Sequence, residues 1–215
     1  MAMTPVEDFP VLSRSRRIAP KILTILKQID TMIVRRTKAT EEALTEIQKT
    51  ELAALPRIVE ETCGPNHPEL AKVLHMLAVL YHSRYDLEKA ESLYRNALAC
   101  AERAFHGPNL EFGLILNNLG RLLHDQKRLV AAEEFYQQSL QVLHAAVGSD
   151  HPKLATPMSN LADLYMELGK LERSKTLRLD SIAILEKALG PNHRKVVQAK
   201  RKLSVLMQMD GGSST

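Results

Sequence analysis

The chain has 215 residues, of which 45% are hydrophobic, 25% charged and 4% aromatic, with no Trp. That is enough apolar material for one compact unit or a short repeat array, and too few rings for a base-stacking surface. Two cysteines, Cys63 and Cys100, stand without metal-ligand spacing, which excludes a disulfide framework and a zinc site, and no apolar run approaches the roughly 18 residues of a spanning helix. With no signal-peptide pattern at its start, the chain is expected to be soluble and cytoplasmic, in a reducing compartment. The net charge of +4 is unevenly spread: residues 1–38 carry eight Lys/Arg against three Asp/Glu, residues 39–169 carry 11 against 18, and residues 170–202 carry 10 against three. The middle is therefore acidic and both ends basic, which favours end-to-middle contacts that salt would screen.

Residues 1–38 read as a basic leader. Within it Ile18, Ile22, Ile25, Ile29 and Ile33 form one stripe of an amphipathic helix over residues 18–34. Three roles fit that stripe: packing on the first hairpin, self-association or partner contact, and a basic targeting or membrane-surface helix. Glu7 and Asp8 count against a mitochondrial presequence. Residues 39–63 are helix-prone but contain Pro56, which predicts a break there or a helix ending near Leu55 with a short successor.

From residue 64 onward one pattern recurs at an unbroken 42-residue step: Leu77-Ala78-x-x-Tyr81, Leu119-Gly120-x-x-Leu123 and Leu161-Ala162-x-x-Tyr165. Twelve residues beyond the small member of each pair stand Ala90, Ala132 and Ser174; sixteen beyond stand Tyr94, Tyr136 and Arg178; nineteen beyond stand Ala97, Ser139 and Ser181. Small residues let two antiparallel helices approach, and bulky ones fill the space between successive pairs. Each pair is closed by a short polar turn at Ser83-Arg84-Tyr85-Asp86, Asp125-Gln126-Lys127-Arg128 or Leu168-Gly169-Lys170. Between pairs stand Gly64-Pro65-Asn66-His67-Pro68, Gly107-Pro108-Asn109, Gly148-Ser149-Asp150-His151-Pro152 and Gly190-Pro191-Asn192-His193. Each is expected to stop one helix at Gly and to start the next with a capping Asn or Asp. The recurring His67, His151 and His193 read as structural, because repeat phase accounts for them without a metal.

The expected hairpins span residues 64–106, 107–147 and 148–189, followed by a capping helix over 190–209 in which Val196, Val197, Leu203, Leu206 and Met207 form an apolar face. Residues 210–215 read as a disordered tail. Arg178 occupies the place where an aromatic is expected, so the second helix of the last hairpin should be partly exposed or should bring an acidic partner to that guanidinium.

The order Leu-small-x-x-Tyr, then Ala, then an aromatic resembles the tetratricopeptide repeat, and the 42-residue step with Gly-Pro-Asn-His-Pro connectors resembles the longer version in kinesin light chains. The resemblance covers residues 64–209. It departs from the general pattern where Leu74, Leu116 and Met158 stand for Trp. It implies an all-α, right-handed superhelical solenoid of antiparallel helix pairs, with an N-terminal helical leader and a C-terminal cap. It further implies a concave surface lined by the first helix of each pair. By phase, the groove would present His75, Val79, His82 and Ser83, then Asn117, Arg121, His124 and Asp125, then Ser159, Asp163, Met166 and Glu167, and finally Arg201 and Gln208. The stretches Asn117-Asn118-Leu119-Gly120 and Ser159-Asn160-Leu161-Ala162 are the nearest equivalents of the Asn-Asn-Leu-Ala run of kinesin light chains. An Asn amide matches the N–H and C=O of an extended peptide, and Arg121 adds a fork for a carboxylate.

The function expected is a non-enzymatic adaptor that binds a short, extended, partly acidic segment of a protein partner. The alternative is a structural subunit that assembles through residues 18–34 and the basic C-terminal end. Binding of RNA or an anionic membrane through Lys195, Lys200, Arg201 and Lys202 is disfavoured because no aromatic residues interleave them. No Gly-x-Ser-x-Gly, Cys/His pair or Gly-rich phosphate loop is present, so neither catalysis nor a cofactor is expected.

Overall fold

The computed structural model describes residues 46–211; the leader with its isoleucine stripe and the last four residues lie outside this range. The described residues are helical with no strand among them: α1 (Glu46–Cys63), α2 (Pro68–Ser83), α3 (Leu87–Ala104), α4 (Leu110–Asp125), α5 (Leu129–Val147), a 3-10 turn (Pro152–Leu154), α6 (Ala155–Glu167), α7 (Leu171–Leu189) and α8 (Arg194–Gly211). They fall into two compact units, divided between His106 and Gly107.

In the first unit α1 runs without interruption past Pro56, against the expected break. A proline within a helix removes one ladder bond and crowds the preceding turn, at a cost of about 3 kcal/mol. Leu52, Leu55 and Val59 recur on one face and are all but fully buried, at 2%, 0% and 1% exposure, and α1 packs on α2. Three such side chains, each contributing about 1.5–3 kcal/mol, offset that cost. Helices α2 and α3 form an antiparallel pair whose close approach is permitted by the fully buried Ala78, Ala90, Ala97 and Ala101. Leu77, Leu80 and Tyr94 fill the space around them.

The second unit repeats this arrangement with α4 on α5 and α6 on α7, while α6 also packs on α5 and α8 on α7. Here glycines take part in the close approach. A Cβ on Gly113 would lie 2.5 Å from Leu143 Cγ, and one on Gly120 would lie 2.9 Å from Tyr136 Cδ1. The small residues of α5 and α7 also carry hydroxyls that reach across each pair. Ser139 Oγ donates to the Gly113 carbonyl at 2.7 Å, Ser174 Oγ to Ala162 at 2.7 Å and Ser181 Oγ to Ala155 at 3.3 Å. Each bond satisfies a buried hydroxyl that would otherwise cost stability.

Helix starts follow the repeat but not with the expected residues. His67, His151 and His193 are the caps: the Nδ1 of each accepts from the N–H two residues on, at 3.2 Å in every case. The neighbouring Asn66, Asp150 and Asn192 stand one position too early. Only Gly107-Pro108-Asn109 lacks the extra residue, and there Asn109 itself caps α4, accepting from Glu111 N at 2.8 Å. The turns within each pair place Tyr85, Lys127 and Gly169 in the left-handed region, with φ of 61°, 61° and 70°. Backbone geometry is thus kept at the 42-residue step even where the residue is not glycine.

The cap differs from its expected apolar face. Val196 and Leu206 are buried at 0% and 1%, but Val197 and Met207 are exposed at 37% and 54%. In α4 the matching phases are Gly113 and Leu123, buried against α5. Nothing described follows α8 to cover the same face.

Candidate peptide-binding face

In the first unit, His75 is buried and its ring centroid lies 6.0 Å from that of Tyr94; His82 meets Tyr94 from another side at 6.1 Å and 89°. The two histidines expected in a groove therefore grip the aromatic residue of α3, and His75 does so from below the surface. His124 repeats the edge contact in the second unit, 6.3 Å from Tyr136 at 81°. Burial, then the nearby Asp125, pushes the Tyr136 hydroxyl well above its ordinary value, so it stays neutral.

The second unit brings most of the expected residues into one pattern. Asn117 is buried at 3% exposure; its Oδ1 accepts from Asn160 Nδ2 at 2.9 Å and its Nδ2 donates to Asn118 Oδ1 at 3.0 Å. One helix further on, Lys202 Nζ donates to Ser159 Oγ at 3.5 Å. At the other end of the same helices, His124 Nε2 lies 3.0 Å from Glu167 Oε2. All three are rungs between a first helix and the next first helix, and in all three the partners stand 43 residues apart. A step one residue longer than the repeat joins neighbouring phases of neighbouring helices.

Both carboxylates expected on this face in the third hairpin are occupied. Asp163 accepts from Arg178 Nη2 at 2.6 Å through one oxygen and from Lys202 Nζ at 2.7 Å through the other. Arg178, at the aromatic's place, is 4% exposed, which meets the expectation of an acidic partner. Glu167 accepts from Lys127 Nζ at 2.9 Å as well as contacting His124. Lys127 and then His124 hold the Glu167 carboxyl below its ordinary value. By contrast Arg121 and Arg201 are exposed, and neither makes a hydrogen bond or ion pair with another described residue. At these positions the face presents cations to solvent and keeps the carboxylates of its third hairpin engaged, while Asp125 stands exposed at the end of α4.

Sequence reasoning found Asn117, His124, Ser159 and Asp163 but not the residues that hold them. Lys202 was not foreseen as the partner of Ser159 and Asp163, nor Asn160, though singled out in its own stretch, as the partner of Asn117; Lys127 and Glu133, which hold Glu167 and Tyr165, were missed as well. Glu133 accepts from Tyr165 OH at 2.9 Å and from Lys170 Nζ at 3.1 Å. The 43-residue separations are readable in principle once the 42-residue phase is known. Among the described residues no cluster of three metal-ligating side chains occurs, and no helix is long and apolar enough to cross a membrane.

A family model described as tetratricopeptide repeat matches residues 52–103 and 111–177. The chain belongs to the tetratricopeptide-repeat family. These repeats form a protein-interaction family with no catalytic machinery of their own, which gives the chain a scaffold role toward protein partners. Among solved structures, the nearly identical TPR-like repeats of a protein described as a kinesin light chain of Podosopora anserina superpose with a TM-score of 0.70 at 17% identity, covering 89% of this chain and 88% of that one. A singly substituted form of the same repeats gives 0.70 at 18% identity, over 91% and 90%. BtubC (BKLC) from P. vanneervenii gives 0.62 at 17% identity, over 94% and 85%. At these identities the likeness is one of fold. No curated protein sequence matches the chain.

Proposed function

We propose that the chain is a cytoplasmic adaptor that holds a short, extended, partly acidic segment of a partner protein along the face built by α4, α6 and α8. The observation that carries this reading is the state of the charges: Asp163 and Glu167 are each held by two partners, while Arg121 and Arg201 point their charge at solvent. A face so arranged attracts carboxylates and repels cationic segments. The amides of Asn118 and Asn160 supply the hydrogen-bonding groups that match a peptide backbone. The two free thiols, Cys63 and Cys100, accord with a reducing location.

The test is retention of partners from a lysate by wild type and by Arg121→Glu, whose exposed site leaves the melt unchanged. Loss of acidic-segment partners, with an affinity drop of about tenfold or more for any one of them, is the expected outcome. Full retention by Arg121→Glu would remove the groove from the account. The second reading, assembly through the leader and the basic C-terminal end, draws support from the uncovered Val197, Val205 and Met207 of α8. It predicts instead that a chain lacking residues 1–38 loses its partners.

A further inference from the structure

In the second unit the first helix of each hairpin carries a seat for the second. On α4 the seat is Gly113 and Gly120: Ser139 Oγ donates to the Gly113 carbonyl, and the Tyr136 ring packs on Gly120. On α6 it is Ala155 and Ala162, whose carbonyls accept from Ser181 and Ser174 of α7, with Asp163 beside them accepting from Arg178. Helix α8 continues the phase of these first helices. Forty-two residues on from Ala155, Ala162 and Asp163 stand Val197, Ser204 and Val205. All three are exposed, Val197 at 37% and Val205 at 54%, whereas Val196 on the other flank of α8 is buried with Ala155 and Leu185. A second-helix seat thus recurs on α8 and stands uncovered among the described residues.

This seat differs from the earlier ones in charge. The phase that meets the bulky position of the second helix is His75 in the first hairpin, 6.0 Å from Tyr94, and in α8 it is the exposed Arg201. On α6 the seat offers a carboxylate and the arriving helix brings Arg178; on α8 the seat offers a cation. Helix α8 carries five Lys/Arg against one Asp, and of these Lys200 and Lys202 are paired with Glu186 and Asp163. A second copy of α8 laid on this flank would set Arg201 against like charges. The leader, with eight Lys/Arg against three Asp/Glu, would do the same. Charge therefore selects an acidic helix that is neither of these.

We propose that this flank of α8 is a docking seat for an amphipathic helix of a partner protein, which stands where a second helix stands in the preceding hairpins and carries a carboxylate at the place of Arg178. Phase gives the residues that such a helix needs. A small residue lies opposite Ser204, an Asp or Glu four positions later lies against Arg201, and a second small residue three positions after that lies against Val197. This is the spacing of Ser174, Arg178 and Ser181 in α7, which places all three on one helix face. Val197 stands where α4 has glycine and α6 alanine, so only a small side chain opposite it lets the two helices close. Val205 adds apolar surface for the arriving helix to cover. The inference deepens the second reading above, to which it gives a partner at the C-terminal end. It is separate from the groove, because the occupant is a helix alongside α8 and not an extended segment along α4, α6 and α8.

The probe is a fluorescein-labelled peptide of the α7 sequence, Leu171–Leu189, with Arg178→Glu. A hydrocarbon staple joins positions 176 and 180, both exposed in α7, because an isolated helix of this length is marginal in water. Its fluorescence anisotropy is titrated with the full chain, beside the same stapled peptide with Arg178 kept. Wild type is expected to bind the charge-inverted peptide about tenfold more tightly than the other. Arg201→Glu should reverse that order, and Ser204→Trp, which fills the seat from an exposed position, should weaken the charge-inverted peptide by about tenfold. The reversal separates a lost contact from misfolding, since a misfolded chain binds neither peptide. Absence of binding, equal binding of the two peptides, an order unmoved by Arg201→Glu, or binding that survives Ser204→Trp overturns the proposal. So does binding that appears only when residues 1–38 are removed, which makes the leader the occupant. A dimer in sedimentation that Ser204→Trp dissolves makes a second copy the occupant and overturns it too. The second reading is measured apart from all of these, by the loss of partners from a chain lacking residues 1–38.

Discussion

Hairpins two and three fill the same space by different physics. In hairpin two the phase between the helices is held by Tyr136, fully buried against Gly120. In hairpin three the same phase is Arg178, also buried, whose charge is met by Asp163 and shared with Lys202. Packing an aromatic ring is self-sufficient, whereas burying a guanidinium obliges the neighbouring helix to supply a carboxylate. That obligation reaches the surface, because Asp163 is itself partly exposed, on the face proposed above to hold a partner segment. The comparison shows how a residue inside a hairpin can set the charge of the surface outside it.

The largest test of the contrast is Tyr136→Ala, which leaves a ring-sized void and should cost about 4 kcal/mol in a denaturant melt. Next is Asp163→Ala, which strands a buried cation; about 3 kcal/mol is expected, at the low end for a broken buried pair because Asp163 is itself partly exposed. The double change Asp163→Ala with Arg178→Tyr should recover most of that loss, since it rebuilds hairpin three on the plan of hairpin two. If the double variant stays as unstable as the single one, the two hairpins are not interchangeable solutions to one packing problem. A smaller effect is expected at the connectors. His151→Ala should cost about 1 kcal/mol as a lost helix cap, while His151→Asn, which copies the role of Asn109, should be near neutral.

The smallest effect concerns pH. The Glu167 carboxyl is held below its ordinary value of 4.5 by Lys127 and His124, so its contribution is present above that value and fades as pH falls through the lowered one. Wild type should therefore lose more melting temperature than Glu167→Gln on acidification from neutral pH to below that window. Parallel curves for the two proteins would show that the exposed contact carries no measurable stability, as surface pairs often do.

Much of the fold is legible in the sequence because the 42-residue step fixes which residues share a phase, and phase decides what is buried. Ala78, Gly120 and Ala162, with Tyr94 and Tyr136, all lie where that step puts them. Pro56 misleads because local propensity takes no account of the tertiary burial of Leu52, Leu55 and Val59. Propensity also hides the capping histidines, because Asn and Asp are the stronger caps in general. What decides the cap is distance from the first helical residue, and in three connectors histidine holds that place. The candidate site is half legible: phase selects the face, but the rungs join different phases of adjacent helices. The pairings of Asn160 with Asn117 and of Lys202 with Ser159 therefore follow the 43-residue step and not the shared phase by which the face was selected. His75 and Asn117 have the phase of contact residues and stand instead as supports.

Since each rung is written half by one hairpin and half by the next, the number of hairpins is itself recorded in the junctions. A tandem copy of residues 148–189 would set Ser159 beside a second Asn160, a pair that still bonds, but it would also set Met166 against a second Glu167, with a glycine turn where Lys127 now helps. Such an insertion keeps the fold of every hairpin and spoils one seam. Change in this array by gain or loss of whole repeats is thus constrained less by the helices than by the few residues through which each recognises its successor.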